Sequence, residues 1–490
     1  MGCIFVKCGH LARASVLILL GVFAVLFPTH AQSVSLVFTS SLGGAVSNLE
    51  TKSSRPAGLL HLQNSIQQLK KEERALWLDA GDLLDGSPES MVLGDGSPFL
   101  GLVQGLGPDL VVPGETDFRR LNLSLPWTAA NLTLFGERIF PGHRVFVRGG
   151  KKIVVLGLSR TLRGHELHLP QGLEIQDPLQ SALEWVPKLR ALEQPDLLVV
   201  VLHGRRFGPS DGEDTKLRGF IPSKGASALA RQVPGIDLLL FGHHDQSSHD
   251  FGVEPFSQGT VMARGASLGR ELLVLRWEEE HWKSQVILPE PVGLPAIRSL
   301  LGDSFVDQML GPLGLELKRT SKASLGKCLN DLLDVSFGQQ KAVGTAFSKV
   351  FLRGRQTGPL TGASLFTWFP FDDHQQWLWV SQRDLALLAR PAAPFGKRKA
   401  PYRRQLALKL RQPMDLDLQA LGLSPNVRDR KYKLLVGDYH FYGGGAIIPM
   451  LFTTLPEQPK GPSLRGAVSR YLQSQGPLPS SCPMLSYGAK

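Results

Sequence analysis

Short apolar runs rich in Val, Leu and Ile recur through the first half of the chain, separated by longer stretches with helical spacing. Val34–Thr39, Ala75–Asp79, Leu110–Val112, Ile153–Leu158, Asp196–Leu202 and Ile236–Phe241 read as strands. Few of them alternate cleanly with polar residues, which suits strands buried on both faces. Between them, Ala57–Lys70 reads as a helix with Leu59, Leu62, Ile66 and Leu69 on one face, and Pro178–Glu193 as a second helix. The order of elements predicts an α/β domain, a layered sheet flanked by helices. Val261–Trp277 reads as antiparallel strands closing it.

The Pro-punctuated stretch Leu288-Pro289-Glu290-Pro291 marks the end of that domain, and a helical stretch follows near Ile297–Leu313. A smaller α+β domain is expected beyond it. The expected division is 1–31, 32–288, 289–324 as a linker with a helix, and 325–490. Residues 1–31 read as an export signal: Lys7 and Arg13 precede the short apolar run Ala14–Phe27, and Thr29-His30-Ala31 offers a small-residue cleavage site. No later apolar run is long enough to span a bilayer, so the mature chain is expected to lack a transmembrane segment and to be exported, periplasmic or secreted.

Composition narrows the picture a little. The chain is 42% hydrophobic and 20% charged, an ordinary globular balance, with a net charge of +11. The positive excess lies in residues 289–490, which carry 26 Lys and Arg against 14 Asp and Glu. Such a balance suits a small anionic ligand or an anionic membrane surface. Nothing resembles a nucleic-acid-binding module. Beyond the export signal the only cysteines are Cys328 and Cys482. In an oxidising compartment they form one disulfide or stay as two buried thiols, and both readings stay open.

Chemistry gathers where the strands stop. The junctions read Thr39-Ser40-Ser41-Leu42-Gly43-Gly44, Asp79-Ala80-Gly81-Asp82, Pro113-Gly114-Glu115-Thr116-Asp117, Leu202-His203-Gly204 and Gly242-His243-His244-Asp245. In open α/β sheets ligands bind outside the carboxyl ends of the strands. Imidazole and carboxylate groups collected there are candidate metal ligands. Each junction alone is a weak signal, and the ordered series is far more specific.

In that order the junctions resemble the 5′-nucleotidase family, a calcineurin-like metallophosphoesterase domain followed by a 5′-nucleotidase-type C-terminal domain. The family carries Asp-x-His, Gly-Asp, Gly-Asn-His-Glu, His-Gly and Gly-His-x-His/Gln, which hold two metal ions. The resemblance implies an exported, metal-dependent hydrolase of nucleotides or other phosphomonoesters, acting in nucleotide catabolism. Several motif positions are exchanged. Ser41-Leu42-Gly43 replaces Asp-x-His, so both of those ligands to the first metal are gone. Thr116 and Arg119 stand at the family's catalytic His and its partner Asp. The metal ligands implied are Asp82, Glu115, His203, His243 and Asp245.

Two His and two carboxylates suit a single divalent Zn²⁺ or Mn²⁺, with a second metal not expected. Two readings follow: a hydrolase working weakly through one metal, or an inactive pseudoenzyme that binds a metal, nucleotide or other anion. In the C-terminal domain, Tyr442-Gly443-Gly444-Gly445 resembles the family's substrate-binding landmark, with Gly445 in place of its Asp. Arg353, Phe441, Tyr442, Gly443 and Gly444 are the substrate-binding candidates this implies.

Overall fold

The computed structural model of the chain describes residues 33–47, 49, 56–121, 123–161, 172–206, 225–243, 254–255, 259–337, 344–348, 357–369, 374–381, 406–410, 431–437 and 463–487. The expected export signal, Asp245, Arg353 and the 441–444 landmark lie outside them.

The first domain runs through β1 (Val34–Thr39), α1 (Leu59–Glu72), β2 (Leu76–Asp79), α2 (Pro88–Leu93), α3 (Phe99–Leu106) and β3 (Leu110–Val111). It continues with β4 (His143–Arg148), β5 (Lys151–Ser159), α4 (Pro178–Glu193), β6 (Leu197–His203), α5 (Ala226–Gln232), β7 (Leu238–Gly242), β8 (Val261–Arg264), β9 (Leu272–Glu278) and β10 (His281–Ile287). Helix α4 starts where Asp177 accepts from the backbone N–H groups of Leu179 and Gln180 and Pro178 fills the first turn, a strong N-terminal signal.

The strands expected in one sheet divide between two. One has the order β10-β9-β1-β2-β3, and the other runs β8-β7-β6-β5-β4, with Glu254–Pro255 pairing outside β8. Strands β1, β2 and β3 are parallel, as are β5, β6, β7 and β8. The two sheets face each other through Leu36, Phe38, Leu78 and Leu110 on one side and Val155, Val199, Val201 and Leu240 on the other. Alternate residues face outward: Val37 and Trp77 pack under α1 and α3, while Val154, Leu198 and Val200 pack under α4 and α5. Burial on both faces explains the near-continuous apolar runs. The stretch 261–277 corrects its expectation. Val261–Arg264 joins the second sheet, parallel to β7 and antiparallel to Glu254–Pro255, while β9 pairs antiparallel with both β1 and β10 on the first sheet.

The expected helix in the linker is two, α6 (Leu294–Leu301) and α7 (Asp303–Leu310), broken at Gly302, whose φ of 84° lies in the left-handed region. Their Ile297, Leu301, Phe305, Val306 and Met309 pack into the first domain's core. Strand β11 (Pro312–Leu317), inside the expected linker, already belongs to the second domain: Leu315 and Leu317 sit in its core. There follow α8 (Lys322–Ser336), β12 (Gly344–Ser348), β13 (Gly358–Thr361), α9 (Gly362–Trp368), β14 (Gln375–Ser381), β15 (Leu406–Leu410), β16 (Lys431–Gly437), α10 (Leu464–Gln473) and β17 (Leu485–Tyr487). They form two small sheets, β13-β11-β17 and β14-β16-β12-β15. Cys328 in α8 and Cys482 before β17 are disulfide-bonded within the buried core of this domain. Among the described residues, no helix is long and apolar enough to cross a membrane.

Candidate metal centre

Four strand ends, two from each sheet, meet at one point. Asp82 follows β2 and Glu115 follows β3, while His203 ends β6 and His243 follows β7. One ligand atom from each lies within 4.8 Å of every other. The expectation of ligands along one sheet edge is thus replaced by a cleft between two edges. His203 is 1% exposed, His243 5% and Asp82 0%, so the cluster is buried, with Glu115 on its more open side.

Local geometry fixes each donor. Asp82 has φ 51°, a left-handed conformation that costs a non-glycine residue about 1–3 kcal/mol and persists where the surroundings over-determine it. Here Thr116 supplies the constraint: its backbone N–H and its hydroxyl both donate to Asp82 Oδ1 at 3.0 Å. Gly114 permits the approach, since a Cβ there would stand 2.4 Å from Asp82 N and 2.7 Å from His203 Cε1. His203 Nδ1 lies 2.6 Å from the carbonyl of Ala80, which can only accept, so Nδ1 carries the proton. That turns Nε2 into the cluster, 2.6 Å from Glu115 Oε2 and 3.6 Å from Asp82 Oδ2. His243 Nδ1 lies 3.4 Å from Glu115 Oε1, 3.5 Å from Asp82 Oδ2 and 3.2 Å from His203 Nε2.

The electrostatics follow from this crowding. Burial alone would lower the His203 pKa, but Asp82 and Glu115 outweigh it and push the imidazole up to about 9. Burial alone would raise Glu115, but Arg160, His243 and His203 hold it well below the usual carboxylate range. A nitrogen and a carboxylate oxygen 2.6 Å apart need a proton or a metal cation between them. Two imidazoles and two carboxylates are a donor set that Zn²⁺ or Mn²⁺ accepts, so these residues fit a divalent ion.

Two residues outside the expected ligand set complete the site. Arg160, just after β5, grips Glu115 with Nε at 3.0 Å from Oε2 and Nη2 at 2.6 Å from Oε1. The signal was its position: it follows the strand Ile153–Leu158 at the same edge, without the Gly, Asp or His that marked the other junctions. Asp117 accepts from the N–H groups of Leu83, Leu84 and Gly114, and so ties the loop of Asp82 to the loop of Glu115. Burial and the charge of Asp82 push Asp117 up to about 7 against those bonds.

Thr116 falls in the site, but its hydroxyl is turned to Asp82. Arg119 lies in the short turn of helix Phe118–Arg120. Ser41 and Gly43 sit in the loop after β1, which is stitched to the Asp82 loop. The N–H groups of Ser41, Gly43 and Gly44 donate to the carbonyls of Gly81, Asp82 and Leu83 at 2.7, 2.8 and 2.8 Å.

Residues 44–246 match the calcineurin-like phosphoesterase family. A 5′-nucleotidase of Vibrio cholerae is 27% identical over 210 residues, 39% of this chain and 36% of its own length, so the match spans about a third of that relative. Among solved structures, a 5′-nucleotidase precursor from Thermus thermophilus superposes with a TM-score of 0.63 at 17% identity, covering 90% of this chain and 96% of its own. A sulfate thiohydrolase of Thermus thermophilus gives 0.59 at 16% identity, covering 92% and 95%. The likeness to these structures is one of fold. That fold serves both a nucleotidase and a thiohydrolase, so substrate has to be argued from the site.

Proposed function

We propose, from the match of residues 44–246 to the calcineurin-like phosphoesterase family, a slow, 5′-nucleotidase-like hydrolase of nucleotides or other phosphomonoesters, exported and dependent on a single divalent metal. The observation that carries this reading is the convergence of Asp82, Glu115, His203 and His243 within 4.8 Å. When bound there, Zn²⁺ or Mn²⁺ would supply Lewis acidity toward a phosphoryl oxygen.

The chain's own residues do the rest. Ala80 fixes the His203 tautomer so that Nε2 faces the donors, a common arrangement behind metal-binding histidines. Thr116 holds Asp82 Oδ1 and leaves Oδ2 toward both imidazoles. Rate should be modest, because the family's general-acid position holds a threonine whose hydroxyl is already bonded to Asp82. Loss of general acid–base help typically costs about 10²–10⁴-fold.

That same bond favours a second reading, a pseudoenzyme that retains metal or an anionic ligand without turning it over. One assay separates them: AMP and p-nitrophenyl phosphate with Mn²⁺, Zn²⁺ or Co²⁺, beside Asp82→Ala. Turnover that the variant lacks supports the hydrolase. No turnover, but a metal-dependent thermal shift lost in His203→Ala/His243→Ala, supports the binder. Equal metal content in wild type and the double variant would remove the metal site from both readings.

A further inference from the structure

Arg160 is placed where a cation already serves one of the four candidate ligands. Ser159 pairs with His203 across β5 and β6, so the next residue projects from the same sheet edge as the histidine. Its guanidinium takes both oxygens of Glu115 in a bidentate fork, Nε on Oε2 and Nη2 on Oε1. Oε2 is also 2.6 Å from His203 Nε2, and Oε1 is 3.4 Å from His243 Nδ1. The Arg160 side chain is 17% exposed and that of Glu115 12%, against 1% for His203 and 0% for Asp82, so the ion pair sits on the solvent side of the deeper donors.

We infer that Arg160 is a resident counter-ion that competes with a divalent metal for Glu115 and thereby sets how readily the site loads. The inference rests on the single-metal reading above. A guanidinium keeps its charge at every accessible pH and matches a carboxylate bidentately. A divalent ion arriving at this site therefore meets a Glu115 whose charge is already neutralised, and a fixed positive charge beside it. Loading requires the fork to open or Glu115 to share its oxygens. A lysine at 160 would keep the charge and lose the fork, so the two contributions separate.

The test is Mn²⁺ binding to the full chain after chelator stripping, measured by titration calorimetry and by thermal shift. Arg160→Ala is expected to bind Mn²⁺ at least about tenfold tighter than wild type, with Arg160→Lys between them. In a Glu115→Gln background, which has no carboxylate to compete for, the gain on removing Arg160 should shrink to less than about threefold. Wild-type binding unchanged or weakened by both Arg160→Ala and Arg160→Lys would overturn the inference, making Arg160 a support for Glu115. The same gain in the Glu115→Gln background would overturn it too. If wild type and His203→Ala/His243→Ala bind Mn²⁺ equally, the metal reading itself fails, and this inference with it. Should Arg160→Ala not fold, the Lys variant and a Gln variant carry the comparison.

Discussion

His203 Nε2 and Glu115 Oε2 stand 2.6 Å apart, while the other ring nitrogen of His203 is committed to the carbonyl of Ala80 at the same distance. The imidazole is therefore either doubly protonated or shares Nε2 with a metal, and protons and metal compete for one lone pair.

Opposite pH slopes follow. With its pKa raised from 6.5 to about 9 by Asp82 and Glu115 against burial, the protonated ring stabilises the metal-stripped fold. That contribution is fully present below about pH 6.5 and is lost as pH rises through about 9. In excess Zn²⁺ or Mn²⁺ the ring must be unprotonated to bind, so metal-dependent stabilisation should grow over the same window. Urea midpoints at pH 6.5 to 9, with chelator and with metal, read both. Parallel slopes in the two conditions would contradict the shared lone pair.

Gly114→Ala should abolish metal binding. The added methyl would lie 2.4 Å from Asp82 N and 2.6 Å from Asp82 Oδ1, and both loops are too constrained to yield cheaply. Overpacking of this kind costs about 1–3 kcal/mol, and thermal melts beside metal titration would record both losses. Wild-type metal affinity in this variant would refute the geometry.

Asp117→Ala removes one acceptor from three backbone N–H groups, those of Leu83, Leu84 and Gly114. Each buried donor left without a partner costs roughly 1–3 kcal/mol, so destabilisation of about 3 kcal/mol or more is expected in denaturant melts. Metal affinity should fall with it, since Asp82 and Glu115 lose their tie. A variant as stable as wild type would show that the clamp contributes little.

The Cys328–Cys482 bridge encloses a sequence separation of 154 residues within the second domain's core. Replacing both cysteines with serine should cost about 2–5 kcal/mol, the usual range for a native disulfide. Two reactive thiols in the denatured, unreduced protein would rule the bridge out.

Much of this was legible in the residues. Val34–Thr39 and Pro178–Glu193 keep the bounds their patterns predict, because an apolar run and an Asp-Pro start are local signals. Four of the expected metal ligands converge because each follows a strand whose end is visible in the sequence. Other features are tertiary. Leu36 and Val37 are both apolar, so the sequence could not tell that one faces the second sheet and the other the helices. Arg160 carries no motif, and its grip on Glu115 spans 45 residues of sequence. Asp117 stood in the sequence only as the end of the junction after Leu110–Val112, whereas its N–H partners join two loops, Leu83 and Leu84 in one and Gly114 in its own.

The stitched loop after β1 has a bearing on engineering. In that loop Gly43 has φ 62°, and a Cβ there would lie 3.3 Å from Leu268 and 3.4 Å from the carbonyl of Asp85. Placing Asp and His at Ser41 and Gly43 would set a β-substituted residue in the left-handed backbone of Gly43, inside a ladder of three hydrogen bonds. The exchange at Gly43 would therefore strain the loop, and two side-chain changes alone would not make a relaxed second pair of donors there. A design for such donors would have to redraw the loop before it changed the side chains.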